Sequence, residues 1–346
     1  MSSSHDSDVF SRPAYQRARR SSDDNEYLAI PVHSLRVDTI TGFNLYLWMS
    51  HSHSYVLYRR GDLTFSDEHK SKLSDSGVAE VFIEEEARDA YLRYLEQNLG
   101  PVLADSGLDL PVASRIAYGC ASHMMQELFE LPLTEESMVR AHQMAQHTVD
   151  HIVRTPENLR YLIELMSTDY ELYTHAVDVC ILGIALGHRR GMNETGLHEL
   201  GTGLLLHDVG KTEVDPSILR KEEPLTDEEA KLLGSHPARG ALLAHERKLD
   251  AIGSLAVIRQ HHEKCSGRGY PEGLSDREIH PMAKIAGLVN TFDGLTSNRP
   301  GRKAFLTYPA IRVMQEVMAE DYPNDLFREF VLMLSGHDSS RSRPAA

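Results

Sequence analysis

Of 346 residues only three are cysteine, Cys120, Cys180 and Cys265, and one is tryptophan. Three scattered thiols exclude a disulfide framework and fit a reducing compartment, so a cytoplasmic protein is expected. No apolar run reaches the ~18 residues a membrane-spanning helix needs. The N-terminus, MSSSHDSDVFSRPAYQRARRSSDDNE, lacks the apolar stretch of a signal peptide. Positive charge is scarce too: 36 Lys and Arg stand against 51 Asp and Glu, a formal net charge of −15. That balance excludes general nucleic-acid binding and repels anionic ligands at long range, so any phosphate-bearing ligand must be held by local cations.

What is present divides the chain. Residues 1–24 are rich in Ser, Arg and Asp with few apolar anchors and are expected to form a disordered tail. From 25 to 100, short β-like runs (YLAIPV, FNLYLWM, SYVLYRR, VAEVFI) alternate with helix-like segments. One opens at Ser66 as a cap; another carries Ala87, Tyr91, Leu92, Leu95 and Leu99 at helical spacing. This predicts a small α/β module with a regulatory role. Connecting helices are expected over 101–155, an all-helical domain over 156–335, and a flexible tail over 336–346. Thr134 is a helix cap, but Ser137 stands where a capping box favours Glu or Gln. Met124, Met125, Met138 and Met144 are read as core or dimer packing. His142, His147 and His151 are read as surface or interface residues, and His51 and His53 as decorating an exposed turn.

The helical half carries the chemistry. ELYTH supplies Glu171 and His175, LLLHDVGK supplies His207 and Asp208, SHP supplies His236, and HHEKCSGRGYP supplies His261, His262 and Glu263. Divalent first-row metals need several neutral imidazoles and carboxylates converging on one point, and a core rarely buries such groups otherwise. Glu171 and His175, four apart, share a helix face. His207 and Asp208 are adjacent, so they can grip different sides of an ion, and the carboxylate can bridge two. Each piece alone is weak, and a lone histidine is more often a hydrogen-bonded structural residue; their ordered succession points to a multinuclear metal site. Cys265, beside this string, is read as incidental and not as a ligand.

These strings, with PSILRKEEPLTDEEAKLLGSHPARG and FDGLTSNRPGRKAF, resemble the HD-GYP domain phosphodiesterases of bacterial cyclic dinucleotide signalling, from about Met166 to Phe305. Gly269, Tyr270 and Pro271 form the diagnostic tripeptide. The resemblance implies an HD-type all-helical catalytic domain, here preceded by the small α/β module, and a mainly α fold. It implies two or three divalent ions, iron or manganese by the chemistry of the donors, and hydrolysis of cyclic di-GMP to linear pGpG and on to GMP. Carried over by position, the metal ligands are Glu171, His175, His207, Asp208, His236, His261, His262 and Asn290, with Asp208 as bridge and catalytic centre. Lys211 of the HDxGK string is expected to contact a phosphate or protonate a leaving oxygen, and Tyr270, Arg299 and Arg302 to contact the ligand. A homodimer and a signalling-protein partner are further expectations.

One position departs from the pattern. Where the family reads ADxFDALTSxRPYR, this chain reads VNTFDGLTSNRPGR, so Asn290 replaces a ligand Asp. An amide oxygen coordinates without bringing negative charge, so the ion sharing His175, His207 and Asp208 is expected to bind more weakly. Asp293, nearly a helical turn away, is not expected to replace it. Gly294 for Ala and Gly301 for Tyr are further departures. Two alternatives follow: a weakened module that binds metal and nucleotide as a sensor or scaffold, and an HD-type hydrolase of another phosphoester.

Overall fold

The computed structural model describes residues 26–167, 170–221, 223–299 and 302–336. The expected tail at 1–24, the expected tail at 336–346 apart from Gly336, and the departure at Gly301 lie outside these residues. The chain forms two compact units divided between His123 and Met124.

In the first unit a four-stranded antiparallel sheet has the order β1-β6-β3-β4. Its strands are β1 (Tyr27–Pro31), β3 (Leu45–Met49), β4 (Ser54–Arg59) and β6 (Glu80–Glu84). The short pair β2 (Thr39–Ile40) and β5 (Thr64–Phe65) forms a second ladder that the sequence pattern did not disclose. Helices α1 (Asp67–Asp75), α2 (Arg88–Gln97) and α3 (Leu99–Leu103) complete it, and α4 (Leu110–Glu130) crosses the division. Val81 and Ile83 alternate inward on β6 while Glu80 and Glu84 turn outward, the period-two signature of a half-buried sheet. Tyr91, Leu92 and Leu95 form the buried stripe of α2. Ser66 caps α1 as expected; His69 closes the box through its ring, accepting from the Ser66 amide at 3.2 Å.

The second unit is helical: α5 (Glu135–Arg154), α6 (Glu157–Leu165), α7 (Leu172–Arg189), α8 (Glu194–Leu206), α9 (Pro216–Leu219), α10 (Asp227–Gly234), α11 (His236–Glu246), α12 (Ile252–Gln260), α13 (Pro281–Thr296), α14 (Thr307–Val317) and α15 (Asn324–Leu334). The mainly α fold after a small sheet-bearing module is therefore as the sequence implies. Helix α7 is buried without a break from Thr174 to Gly187, which makes it the central element. Helix α8 packs on α5, α7 and α12, and α13 packs on α7 and α12.

Two local readings need correction. Ser137 completes the capping box of α5, because its hydroxyl accepts from the Thr134 amide at 3.2 Å while Thr134 Oγ1 accepts from the Ser137 amide at 3.1 Å. A short hydroxyl side chain can do here what Glu or Gln does elsewhere. His151 is a core residue and not a surface one: it is 6% exposed and its carbonyl accepts from Asn158 Nδ2 at 2.7 Å. The four methionines are buried, and His51 and His53 lie on an exposed turn. No helix among the described residues is long and apolar enough to cross a membrane.

Candidate metal centre

The centre is assembled from helix ends. His175 lies in the first turn of α7, His207 caps the C-terminus of α8, and Asp208 follows it. His236 opens α11, and His261 caps the C-terminus of α12 with His262 next in the chain. Gly210 lets these pieces meet: a Cβ there would lie 2.0 Å from the His236 carbonyl oxygen, so no other residue permits this approach of α11. His175, His207, Asp208, His236 and His261 are all buried, and His262 is partly so.

Hydrogen bonds fix which nitrogen of each ring faces inward. The Nδ1 atoms of His207, His236 and His261 each lie against the carbonyl three residues earlier, at 2.6, 2.7 and 2.9 Å, and donate to it. His175 Nδ1 donates to Asp293 Oδ2 at 2.5 Å. In the neutral rings every Nε2 is then a bare lone pair. Yet these lone pairs converge: His175 on His207 at 3.2 Å, and His236 on His261 at 3.2 Å.

Asp208 divides its carboxylate between the two pairs. Its Oδ2 is 3.4 Å from His207 Nε2 and 3.7 Å from His175 Nε2, while its Oδ1 is 3.0 Å from His236 Nε2 and 3.7 Å from His261 Nε2. Oδ1 is buried with no hydrogen-bond partner among the described residues. Acceptors crowded at these separations repel unless cations lie between them, and the spacing suits donors sharing an ion at bonds of about 2.0–2.2 Å. The donor set fits divalent metal in two groups: His175, His207 and Asp208, and Asp208, His236, His261 and His262.

Electrostatics keep these donors ready. Burial pushes His261 down to about 3 and His262 well below its usual range, and it lowers His175 against the pull of Asp293, so the rings stay neutral and available. Burial alone would raise the Asp208 carboxyl, but the Lys211 ammonium and the His207 ring hold it well below the carboxylate range. Lys211 Nζ is 2.5 Å from Asp208 Oδ2, and Asp208 keeps it charged despite burial.

Not every expected residue joins the centre. Glu171 is exposed at the N-cap of α7 and belongs to neither group, though its carbonyl accepts from the His175 amide at 2.9 Å. Asn290 is buried on α13, 8% exposed. Tyr270 stacks on His262, ring centroids 4.5 Å apart at 17°, and is 39% exposed. Arg299 is exposed and lies over the Tyr170 ring at 4.2 Å. Arg302 instead donates to the carbonyls of Gly294, Leu295 (3.1 Å) and Ser297 (3.4 Å), holding the C-terminus of α13. The Cys265 thiol, pushed up to about 12 mainly by burial, donates to Asp276 at 3.0 Å and joins neither group.

Two roles were missed. Asp293 orients His175, a contact spanning 118 residues of sequence that no local pattern shows. Glu263 accepts from the amides of Glu272 (2.7 Å), Gly273 (3.2 Å) and Leu274 (2.9 Å), tying down the GYP loop. Gly269 fits beneath that loop because a Cβ would lie 2.4 Å from the Lys264 nitrogen. A third group, Asp150, Glu194 and His198, combines a half-buried ring with an exposed Glu194 and an Asp150 already paired to Arg154 at 2.9 Å.

A helical fold that brings imidazoles and a shared carboxylate together at its helix ends defines the HD class of metal-dependent phosphohydrolases. The family model of the HD domain matches residues 165–325. Cyclic di-GMP phosphodiesterase PA4108 of Pseudomonas aeruginosa is 31% identical over 318 residues, covering 87% of this chain and 75% of that protein. A cyclic di-GMP phosphodiesterase of Thermotoga maritima is 27% identical over 209 residues, 60% of this chain and 55% of its own length. Among solved structures, Bd1817, an HDG"Y"P protein from Bdellovibrio bacteriovorus, matches with a TM-score of 0.63 and 25% identity, covering 90% of this chain and all of that one. The chain belongs to the HD-GYP family of metal-dependent phosphodiesterases.

Proposed function

We propose that the chain hydrolyses cyclic di-GMP to linear pGpG, with a second cut to GMP, using two ions of iron or manganese held by the two histidine groups. The observation that carries this reading is the division of Asp208, one oxygen toward each pair of inward-facing imidazole nitrogens. When bound, the ions supply a hydroxide near neutral pH and neutralise charge on the phosphoryl oxygens. The chain's own residues do the rest. His175, His207, His236 and His261 act as ligands through lone pairs their hydrogen bonds have oriented, His262 acts as a further ligand, and Asp208 is the bridge. Lys211, already ionised beside Asp208, is placed to contact a phosphate oxygen or protonate the departing oxygen. Arg299 and Tyr270, both exposed at the rim, contact phosphate and base. Glu171, exposed at the N-cap of α7, would have to turn inward to hold a third ion. Residues 156–335 act as the catalytic domain and 25–100 as a regulatory module, in a protein read as cytoplasmic.

A second reading draws on Asn290. Because an amide at position 290 brings no negative charge to an ion, and the Lys211 ammonium already lies on Asp208 Oδ2, a module that binds metal and nucleotide with slow turnover is the alternative. One assay separates the two: hydrolysis of cyclic di-GMP by manganese- or iron-reconstituted protein, comparing wild type, Asn290→Asp and His207→Ala. Cleavage by wild type that His207→Ala abolishes is expected. Tight binding without cleavage, restored by Asn290→Asp, would establish the alternative.

A further inference from the structure

From the sequence alone Tyr170 has no assigned role, yet three features converge on it. Its ring carries the Arg299 guanidinium at 4.2 Å from the centroid. Its phenol oxygen accepts from Lys211 Nζ at 3.5 Å. Its backbone amide donates to the Asn298 carbonyl at 3.3 Å, tying Tyr170 to the segment that bears Arg299. The same ring stands 5.0 Å from that of His175, so this arrangement borders the metal centre.

We propose that Tyr170 is a positioning residue that joins Arg299 and Lys211 into one phosphodiester-binding pair. The proposal rests on the phosphodiesterase reading above. Two cations aimed at one small anion repel each other, and a long exposed arginine loses rotamer freedom when it binds. An aromatic face under the guanidinium and a phenol oxygen at the ammonium hold both groups before the anion arrives. Arg302, engaged with the end of α13, cannot serve in place of Arg299. Gly294 contributes space, because a Cβ there would lie 3.2 Å from Arg299 Nη2 and press on the guanidinium.

A double-mutant cycle tests this with manganese-loaded full-length protein, reading Kd by calorimetry for cyclic di-GMP and for inorganic phosphate. Tyr170→Leu and Arg299→Ala should each weaken binding about three- to tenfold, with metal content unchanged. The double variant should be weaker than Arg299→Ala by a smaller factor than Tyr170→Leu weakens the wild type, because part of the Tyr170 effect passes through Arg299 and the remainder through Lys211. Tyr170→Phe, which keeps the ring, should weaken binding less than Tyr170→Leu and remain coupled to Arg299. Coupling seen with phosphate but no binding of cyclic di-GMP would reject the substrate reading and leave this role standing. Additive losses, loss of metal from Tyr170→Leu, or wild-type protein that binds neither probe would overturn the proposal.

Discussion

At the scale of single residues, this centre depends on which nitrogen carries the proton. Three histidines obtain that choice from the carbonyl three residues behind them, at the C-terminal ends of α8 for His207, α10 for His236 and α12 for His261. His175 obtains it from Asp293, across the interface of α7 and α13. Removing such an outer partner typically costs ten- to a hundredfold in metal affinity. Asp293→Ala should therefore weaken manganese binding by about that factor, whereas Arg312→Ala, on the exposed face of α14, should not. Equal affinities by calorimetry would contradict the role. The HD and HH pairs and His236 were legible as candidate donors through their ordered succession, since each histidine alone reads as a structural residue. Asp293 was not, because its partner is distant in sequence, and Glu171 was misleading: i,i+4 spacing places two side chains on one face only when both lie within the helix. Glu171 stands at the N-cap in extended backbone, φ −119° and ψ 146°.

At the scale of elements, the amphipathic stripes and strand alternation disclosed most of the fold, and the exceptions share a cause. His151 has a polar ring and reads as a surface residue, but α6 folds back on α5 and Asn158 covers it. Burial pushes its imidazole down to about 4. The unfolded chain binds a proton near pH 6.5 that the folded chain refuses until about pH 4, so between those values acid favours unfolding. This residue alone should cost up to about 3 kcal/mol of stability as pH falls through that window. His151→Leu lacks the loss, so the stability gap between wild type and variant should shift toward the variant from pH 7 to pH 4.5 in urea unfolding. A gap independent of pH would show that His151 titrates normally in the folded protein. The GYP loop had a similar hidden partner: Glu263 reads as one more carboxylate in a ligand string, and only folding shows it satisfying three backbone amides.

At the scale of the whole molecule, a net charge of −15 works against the anionic phosphodiester proposed above as substrate. On that proposal, affinity comes from bound ions and from local cations, with Lys211 and Arg299 as the candidates. Shared ancestry with cyclic di-GMP phosphodiesterases runs through both units, since the match to PA4108 covers 87% of the chain. Composition could show that the ligand's charge had to be met locally; it could not show where the cations stand, which depends on how α7, the segment after α8 and the end of α13 come together. The central claim is that Asp208 bridges two groups of metal-binding imidazoles. It is tested most directly by elemental analysis of protein purified without chelators, wild type beside Asp208→Ala and His236→Ala. The account predicts at least one equivalent of iron or manganese per wild-type chain, a partial loss in His236→Ala and the largest loss in Asp208→Ala. Wild-type protein free of metal, and still unable to take up either ion when it is supplied, would contradict it.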